Sequence, residues 1–388
     1  MEIKPAIETF AKIEVVGIGG SGGSAINRMI QSKIRGVEFI AVNTDAQALH
    51  HNHAPSKIHI GKTTTRGLGA GMDPELGAKA ADENQDEIHE VIKGADMVFI
   101  TCGLGGGTGT GAAPRIAEIA RDLGALTVAV VTKPFAFEGA QRKAIAESGL
   151  AELTERVDTI VTIPNDRLLQ IIDKKTSLLD AFAIVDDVLR QGVQGIADLI
   201  TVPGLINVDF ADVKAIMQDA GSALMGIGNG SGENRAVEAA KAAIDSPLLE
   251  LHIDGAKGIL FLVTGGPTLS MYEVSEAAKV ITESADPNAK IIFGAVIDEE
   301  MDDSVKITVI ATGFGVKARS IKRVEAQRSP FGTPLPTPFR HEPQPASPQP
   351  RPSPASQKPA PPASPKQKEP PSADDDLDIP AFIRKKMM

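Results

Sequence analysis

The chain has 388 residues, 42% of them apolar, which is enough for two ordinary domains with buried cores. A formal charge of -10 argues against nucleic acid or an anionic membrane as the main partner, because both require clustered Lys and Arg. The single cysteine, Cys102, excludes an intrachain disulfide and a cysteine-built metal site, and no run of about 18 apolar residues occurs, so a cytoplasmic protein without direct membrane insertion is expected.

Residues 12–17 alternate into a short strand, followed by Gly17-Ile18-Gly19-Gly20-Ser21-Gly22-Gly23 and a helical pattern with Ala25, Ile26, Met29 and Ile30 on one side. Gly17, Gly19 and Gly22 spell a literal G-x-G-x-x-G, and the next strand, 37–42, ends at Asn43-Thr44-Asp45. An acidic residue there is what a dinucleotide site uses for the ribose, so a nicotinamide or flavin oxidoreductase is a rival at this point. After a short strand at 57–60, Gly61-Lys62-Thr63 lacks the first glycine of a P-loop, whose position is taken by Ser56. His50, His51, His53 and His59 have neither helical spacing nor an attendant carboxylate and are read as solvated, not as metal ligands. Arg66-Gly67-Leu68-Gly69-Ala70-Gly71 is a further glycine-rich loop, closed by Asp73-Pro74 as N-cap and first helical residue of a helix running to about residue 93.

The central feature is Gly103-Leu104-Gly105-Gly106-Gly107-Thr108-Gly109-Thr110-Gly111, which follows the apolar run Met97-Val98-Phe99-Ile100 and opens a helix over 112–123. A strand-to-helix turn nearly stripped of side chains lets backbone N–H groups approach a ligand while the helix presents its positive end, the arrangement that binds phosphate. Thr108 and Thr110 add hydroxyls. A flexible linker would mix in Ser and lie in polar surroundings.

A strand at 126–132 ends in Lys133-Pro134-Phe135, a helix starting near Phe137, Glu138 and Arg142 continues to about 156, and a strand at 157–163 is closed by Pro164-Asn165-Asp166. This alternation predicts an α/β fold, a parallel sheet covered on both faces with ligands at the carboxyl ends of its strands, where the glycine loops fall. Residues 177–201 form a long helical pattern, apolar almost all round, stopped by Pro203-Gly204 and spanning roughly 37 Å. It is expected as a buried spine between two domains, with Asp186 and Asp187 in need of partners. Asn207, Asp209 and Asp212 follow on a loop and helix start, where capping accounts for only one of them. A helix at 236–244, strands at 258–264, 291–297 and 305–312, and a helix at 271–284 predict a smaller α+β domain.

From 329 to 372 the chain is Pro, Ala, Ser and Gln with scattered charge, too poor in apolar surface to fold. It closes with Leu377, Ile379, Pro380, Phe382 and Ile383 between Asp374, Asp375, Asp376 and the basic Arg384, Lys385 and Lys386, the pattern of a docking peptide on a tether. The expected segments are 12–176, a nucleotide-binding domain; 177–202, the central helix; 203–316, the α+β domain with the acidic loop; 317–373, a disordered linker; and 374–388, the docking peptide.

The stretch from Gly105 to Gly111 resembles the nucleotide motif of the tubulin/FtsZ family, and the similarity extends from about residue 12 to residue 315. Val42-Asn43-Thr44-Asp45, Gly67-Leu68-Gly69-Ala70-Gly71, Lys133-Pro134-Phe135, Pro164-Asn165-Asp166 and residues 207–212 support it. The resemblance implies a Rossmann-like GTPase domain that binds GTP and GDP, assembly head to tail into filaments, and a role in the cytokinetic ring at mid-cell in bacterial division. It assigns Gly20, Ser21 and Gly22 to a first phosphate loop, Ala70 and Gly71 to the γ-phosphate, and Gly105, Gly106, Gly107, Thr108, Gly109 and Thr110 to the main cradle. Glu138 and Arg142 are placed near the ribose and phosphates, Asn165, Phe182 and Asp187 around guanine, and Asn207, Asp209 and Asp212 in catalysis. The departures are Ser21 and Ser24, where the family usually has glycine and asparagine. The tail looks like the family's docking peptide for division proteins, membrane tethers among them.

The long helix carries the acids away from their own nucleotide, so a head-to-tail neighbour would receive them, and an open contact of this kind generates a filament. Two carboxylates beside a polyphosphate call for a cation, and Mg²⁺ is expected. A tubulin-like scaffold that binds GTP without hydrolysing it is the remaining alternative, and Asp209 and Asp212 speak against it.

Overall fold

The computed structural model describes residues 11–168, 176–202, 204–246, 253, 255–299 and 301–314; the expected linker and docking peptide lie outside the described residues. The short β-branched runs become strands buried on both faces. In β1 (Ile13–Ile18) every residue is buried, Ile13 and Val15 entering one core and Val16 and Ile18 the other, as a two-residue repeat requires. The chain continues through α1 (Gly19–Gln31), β2 (Val37–Asn43), α2 (Ala46–His50), β3 (Ser56–His59), α3 (Pro74–Glu83), α4 (Gln85–Ile92) and β4 (Met97–Gly103). Then come α5 (Gly107–Asp122), β5 (Leu126–Lys133), α6 (Ala140–Thr154), β6 (Thr159–Pro164), α7 (Asn165–Leu168) and the long α8 (Leu178–Thr201). The remainder is α9 (Phe210–Met217), β7 (Gly221–Ser231), α10 (Arg235–Ile244), β8 (Gly258–Gly265), α11 (Met271–Glu283), β9 (Lys290–Ile297) and β10 (Ser304–Thr312).

The strands form one sheet in the order β3-β2-β1-β4-β5-β6-β7-β10-β8-β9. From β3 to β6 all pairings are parallel. The α/β part and the smaller α+β part are both present, and they are joined by the parallel pairing of β6 with β7 as well as by α8. β10 then runs antiparallel to both β7 and β8. α8 acts as the spine: Val185, Leu189, Val193 and Ile196 share one core with Phe99 and Val128 of the parallel strands and with Leu260 and Ile310 of β8 and β10.

Four details depart from the sequence reading. The helix expected to run unbroken to residue 93 is two helices, because Asn84 leaves the helical path, its Oδ1 accepting from the Gly61 N–H at 2.9 Å and its amide donating to Glu87 at 2.9 Å. The first turns of α8 are buried on one side only, since Ala181 is buried while Leu179 and Phe182 are exposed. Strand β7 has no apolar alternation to announce it. Its Gly226, Gly228 and Gly230 lie under α10, where an added Cβ would come within 1.9–2.0 Å of the carbonyl oxygens of Ala243, Ala239 and Arg235, so helix backbone rests directly on strand backbone. Of the four histidines, His50, His51 and His53 are exposed, whereas His59 is half-buried in β3.

Candidate functional site

β1 and β4 are neighbours in the sheet, yet the helices that follow them cross opposite faces: α1 packs with α8 in one core, α5 with α3 and α6 in the other. A crevice therefore opens beyond their carboxyl ends, where open α/β sheets bind ligands. A cavity of about 440 Å³ lies there. Its walls are Gly20, Ser21 and Ser24 from the first turn, Gly106, Gly107, Thr108 and Gly109 from the second, Glu138 and Arg142, Asn165 at the end of β6, and Phe182, Val185, Asp186 and Leu189 of α8. These come from stretches up to 169 positions apart in the chain, Gly20 to Leu189, and most were picked out from sequence.

The phosphate end is built of backbone. α5 begins at Gly107 with no acidic residue in its first turn, so its positive end faces the cavity uncompensated. Gly22 is buried and does not line the cavity; a Cβ there would stand 2.4 Å from the Thr101 carbonyl oxygen, so its absence lets α1 close onto β4. The Ser21 hydroxyl accepts from the Gly103 N–H at 2.8 Å, which commits a lone pair and leaves its own proton to donate. The two threonines divide. Thr108 lines the cavity and shares a 2.5 Å hydroxyl–hydroxyl hydrogen bond with Thr44, whereas Thr110 is buried behind it and accepts from the Gly105 N–H at 2.9 Å. Ala70 and Gly71 stand outside the cavity wall, and Ala70 is pressed against Gly107, where a Cβ would come 2.8 Å from that of Ala70.

The other end has side chains with specific demands. Glu138 accepts from the Phe135 N–H at 2.9 Å and pairs with Arg142 at 2.5 Å, so the one arginine of the wall is held in place and half neutralised. Asn165 is buried, and its Oδ1 has no hydrogen-bond partner among the described residues, an acceptor awaiting a ligand donor. The Phe182 ring meets Phe135 edge-on at 5.8 Å and gives this end a flat apolar wall.

Asp187, expected beside Asn165 and Phe182, does not line the cavity; Asp186 does. Asp187 accepts from Arg190 Nε at 2.7 Å and from Gln191 at 2.5 Å on its own helix. The reason is helical geometry: Phe182, Asp186 and Leu189 recur at the four- and seven-residue spacing that shares one face, while Asp187 is turned about 100° away and meets its own i+3 and i+4 neighbours. That spacing was present in the sequence and would have selected Asp186. Burial pushes the Asp186 carboxyl up to about 6, against the opposing pull of the Arg28 guanidinium on α1.

Asn207, Asp209 and Asp212 are exposed and lie past the far end of α8, roughly 36 Å along the helix from its start. Thr201 at that end packs against Gly36, just before β2, which places it at the amino edge of the parallel strands, opposite the cavity. Asn207 Oδ1 accepts from the Gly204 N–H at 2.6 Å and Asp209 caps α9. Asp212, in the first turn of α9, carries no capping role.

Comparison with known proteins decides what this crevice belongs to. A model of the Tubulin/FtsZ family GTPase domain matches residues 12–173, and a model of the FtsZ family C-terminal domain matches residues 221–315. The chain belongs to the tubulin/FtsZ family of GTPases. Among solved structures, an empty FtsZ dimer from M. jannaschii is 50% identical, with a TM-score of 0.76 over 79% of this chain and 89% of that one. A point mutant of the same FtsZ gives 50% identity and a TM-score of 0.76 over 79% and 92%. CetZ2 from Haloferax volcanii, solved as a GTPγS-bound protofilament, shares the fold at 22% identity and a TM-score of 0.66 over 77% and 92%. The dinucleotide reading of Gly17, Gly19 and Gly22 is thereby set aside: the same glycine logic serves a GTPase.

Proposed function

We propose that this GTPase assembles head to tail into filaments in which the nucleotide held by one copy is hydrolysed with the help of Asp209 and Asp212 of the next, Asn207 standing beside them. The observation that carries this is the separation along α8: cavity at one end of the helix, exposed acids at the other. No rearrangement short of unfolding α8 would bring the two together within one copy. Guanine would sit at the Phe182 end, with Asn165 Oδ1 and the Asp186 carboxylate as acceptors for base N–H groups, which adenine does not offer in that pattern. The γ-phosphate would lie toward Ala70 and Gly71.

Among the described residues the wall offers a triphosphate one arginine, already paired, together with the Ser21 hydroxyl, backbone N–H groups and a helix end. A divalent cation is needed for the rest. Two carboxylates beside a polyphosphate call for such a cation, and Mg²⁺ would be held by phosphate oxygens with one or two carboxylates, here Asp209 and Asp212 of the adjoining copy. Bound there it would supply charge neutralisation at the reacting phosphate.

We further read the filament as the cytokinetic ring of bacterial division, the protein as cytoplasmic and gathered at mid-cell, and residues 374–388 as a peptide that docks on division proteins, membrane tethers included. The segment limits given from sequence, 12–176, 177–202, 203–316, 317–373 and 374–388, are kept as the working division of labour. Light scattering of the full chain with GTP, with GDP, and with GTP plus a chelator tests the reading. Assembly with GTP alone supports it; equal scattering in all three would contradict it.

A further inference from the structure

Glu83, the last residue of α3, closes a clip on the chain segment that leads into Ala70 and Gly71. Its Oε1 accepts from the Thr63 N–H at 2.8 Å, and its Oε2 accepts from the Thr64 N–H at 3.1 Å and the Thr64 hydroxyl at 2.7 Å. Asn84 adds the bond to the Gly61 N–H described above. Such donors hold the Glu83 carboxyl down to about 2, so the clip stays charged at any working pH.

The clip is fixed relative to the phosphate cradle. α3 lies backbone to backbone on α5: a Cβ on Gly111 would stand 1.9 Å from the Pro74 carbonyl oxygen, and one on Gly77 would stand 2.3 Å from that of Gly107. On the other side of the clip, Thr65 donates to the Gly61 carbonyl at 2.9 Å and approaches that of Thr44 at 3.3 Å, and Thr44 holds Thr108. Between these anchors the chain is strained. Arg66 and Met72 have φ of 55° and 65°, and Gly67, Gly69 and Gly71 are also in the left-handed region. A non-glycine residue persists there only when its surroundings impose it. The loop is further tied by the Ala46 N–H to the Gly67 carbonyl at 3.2 Å and by the pairing of Asp45 with Leu68.

We propose that Glu83 is a positioning residue for nucleotide discrimination: its clip on Thr63 and Thr64 holds the loop carrying Ala70 and Gly71 where it meets the terminal phosphate, so that GTP is bound in preference to GDP. This rests on the reading of that loop as the γ-phosphate neighbour. The carboxylate does not line the cavity. It sets the frame from which the strained loop reaches one.

The test is the GTP and GDP affinity of the full chain below its assembly concentration, by displacement of a fluorescent GDP analogue, for Glu83→Ala, Glu83→Gln, Thr64→Val, Thr64→Ser and Gly71→Val. Glu83→Ala is expected to lower the GTP-over-GDP preference by about threefold to tenfold while GDP affinity stays within about twofold. Glu83→Gln, with fewer lone pairs for three donors, should fall between; Thr64→Val should show a smaller loss that Thr64→Ser restores. Gly71→Val perturbs the loop directly and should also lower the preference. An unchanged preference in Glu83→Ala with a lowered one in Gly71→Val overturns the clip while sparing the loop. Unchanged preference in both overturns the loop reading and the clip with it. A parallel fall in both affinities makes Glu83 merely structural and overturns the proposal, and should Glu83→Ala fail to fold, the Thr64 pair decides.

Discussion

Asp186 and Asp187 are consecutive on α8 and face different partners: Asp186 borders the nucleotide cavity, and Asp187 is held at 2.7 Å by Arg190 of the same helix. Asp186→Asn should therefore erode guanine selection by roughly 1.5 to 3 kcal/mol, the range for a hydrogen bond to a charged group left unmade. Asp187→Asn should leave it nearly intact. Competition of GTP against ATP for the two variants measures this, and the reverse ranking would contradict the assignment.

The same carboxyl predicts a pH dependence. Burial pushes Asp186 up to about 6, and its ionised form can accept from two base N–H groups where the protonated form, left with its carbonyl oxygen, accepts less well. As pH falls through that value the protonated form, which holds the base less well, takes over, so affinity should fall toward a lower plateau. The sign for folding is opposite. A folded-state value above the ordinary 3.8 means the native chain holds the proton more tightly, so this group favours folding increasingly as pH falls from about 6 toward 3.8. GDP titrations at pH 5, 6, 7 and 8 with wild type and Asp186→Asn check it; a flat wild-type profile would remove Asp186 from the base site.

Ser21 departs from the family's glycine, and the structure gives its hydroxyl a use. Its oxygen is engaged by the Gly103 N–H, so its proton is free for an anion in the cavity. Ser21→Ala should weaken GTP and GDP alike by about 1 kcal/mol, with Ser21→Thr retaining the bond. Equal affinities for the alanine and wild-type chains, by calorimetry, would show that the hydroxyl is idle.

How much could be read in advance follows from which signals are local. Burial of β1, β4 and β5 and the turns after β1 and β4 were legible because parallel strands are apolar runs and each glycine turn is contiguous in sequence. β7 was not, since its glycines answer to α10, an element that follows it and presses on it from above. Asp186 was missed because identity of residue type was matched without the phase of the helix. The clip of Glu83 on Thr63 and Thr64 had no sequence signal: it joins residues about twenty positions apart through a loop whose path only the fold determines.

The packing of α10 on β7 carries its own expectation. Gly228→Ala would put a methyl 2.0 Å from the Ala239 carbonyl oxygen, and prising the helix off the strand should cost about 1 to 3 kcal/mol. Thermal unfolding followed by circular dichroism should show a lower midpoint. An unchanged midpoint would mean that α10 sits higher on the sheet than described.

Removal of residues 374–388 should leave GTPase activity and assembly intact and abolish recruitment to membranes bearing a division-protein tether. Treated as a coil, the 44 residues of the stretch 329–372 would reach roughly 35 to 40 Å, enough to hold a filament off the surface while its tip stays docked. Co-sedimentation with tether-bearing vesicles distinguishes the outcomes: a truncated chain that still binds them, or that no longer assembles, would show that the tail is not a separate docking module.

The central claim is that one copy's nucleotide is hydrolysed by the next copy's acids, and mixing two inactive variants tests it most directly. Asp212→Ala retains the cavity and lacks an acid; Gly107→Ser retains the acids and has a side chain driven against Ala70 and the Asp73 N–H at the mouth of α5. Each alone should bind or present only half of the site, and phosphate release should be nearly abolished in both. Combined, they should recover part of the wild-type rate at interfaces pairing a sound cavity with sound acids, while Asp212→Ala alone keeps its GTP affinity. No recovery on mixing, together with loss of GTP binding in Asp212→Ala, would place the acids at their own nucleotide and contradict the account.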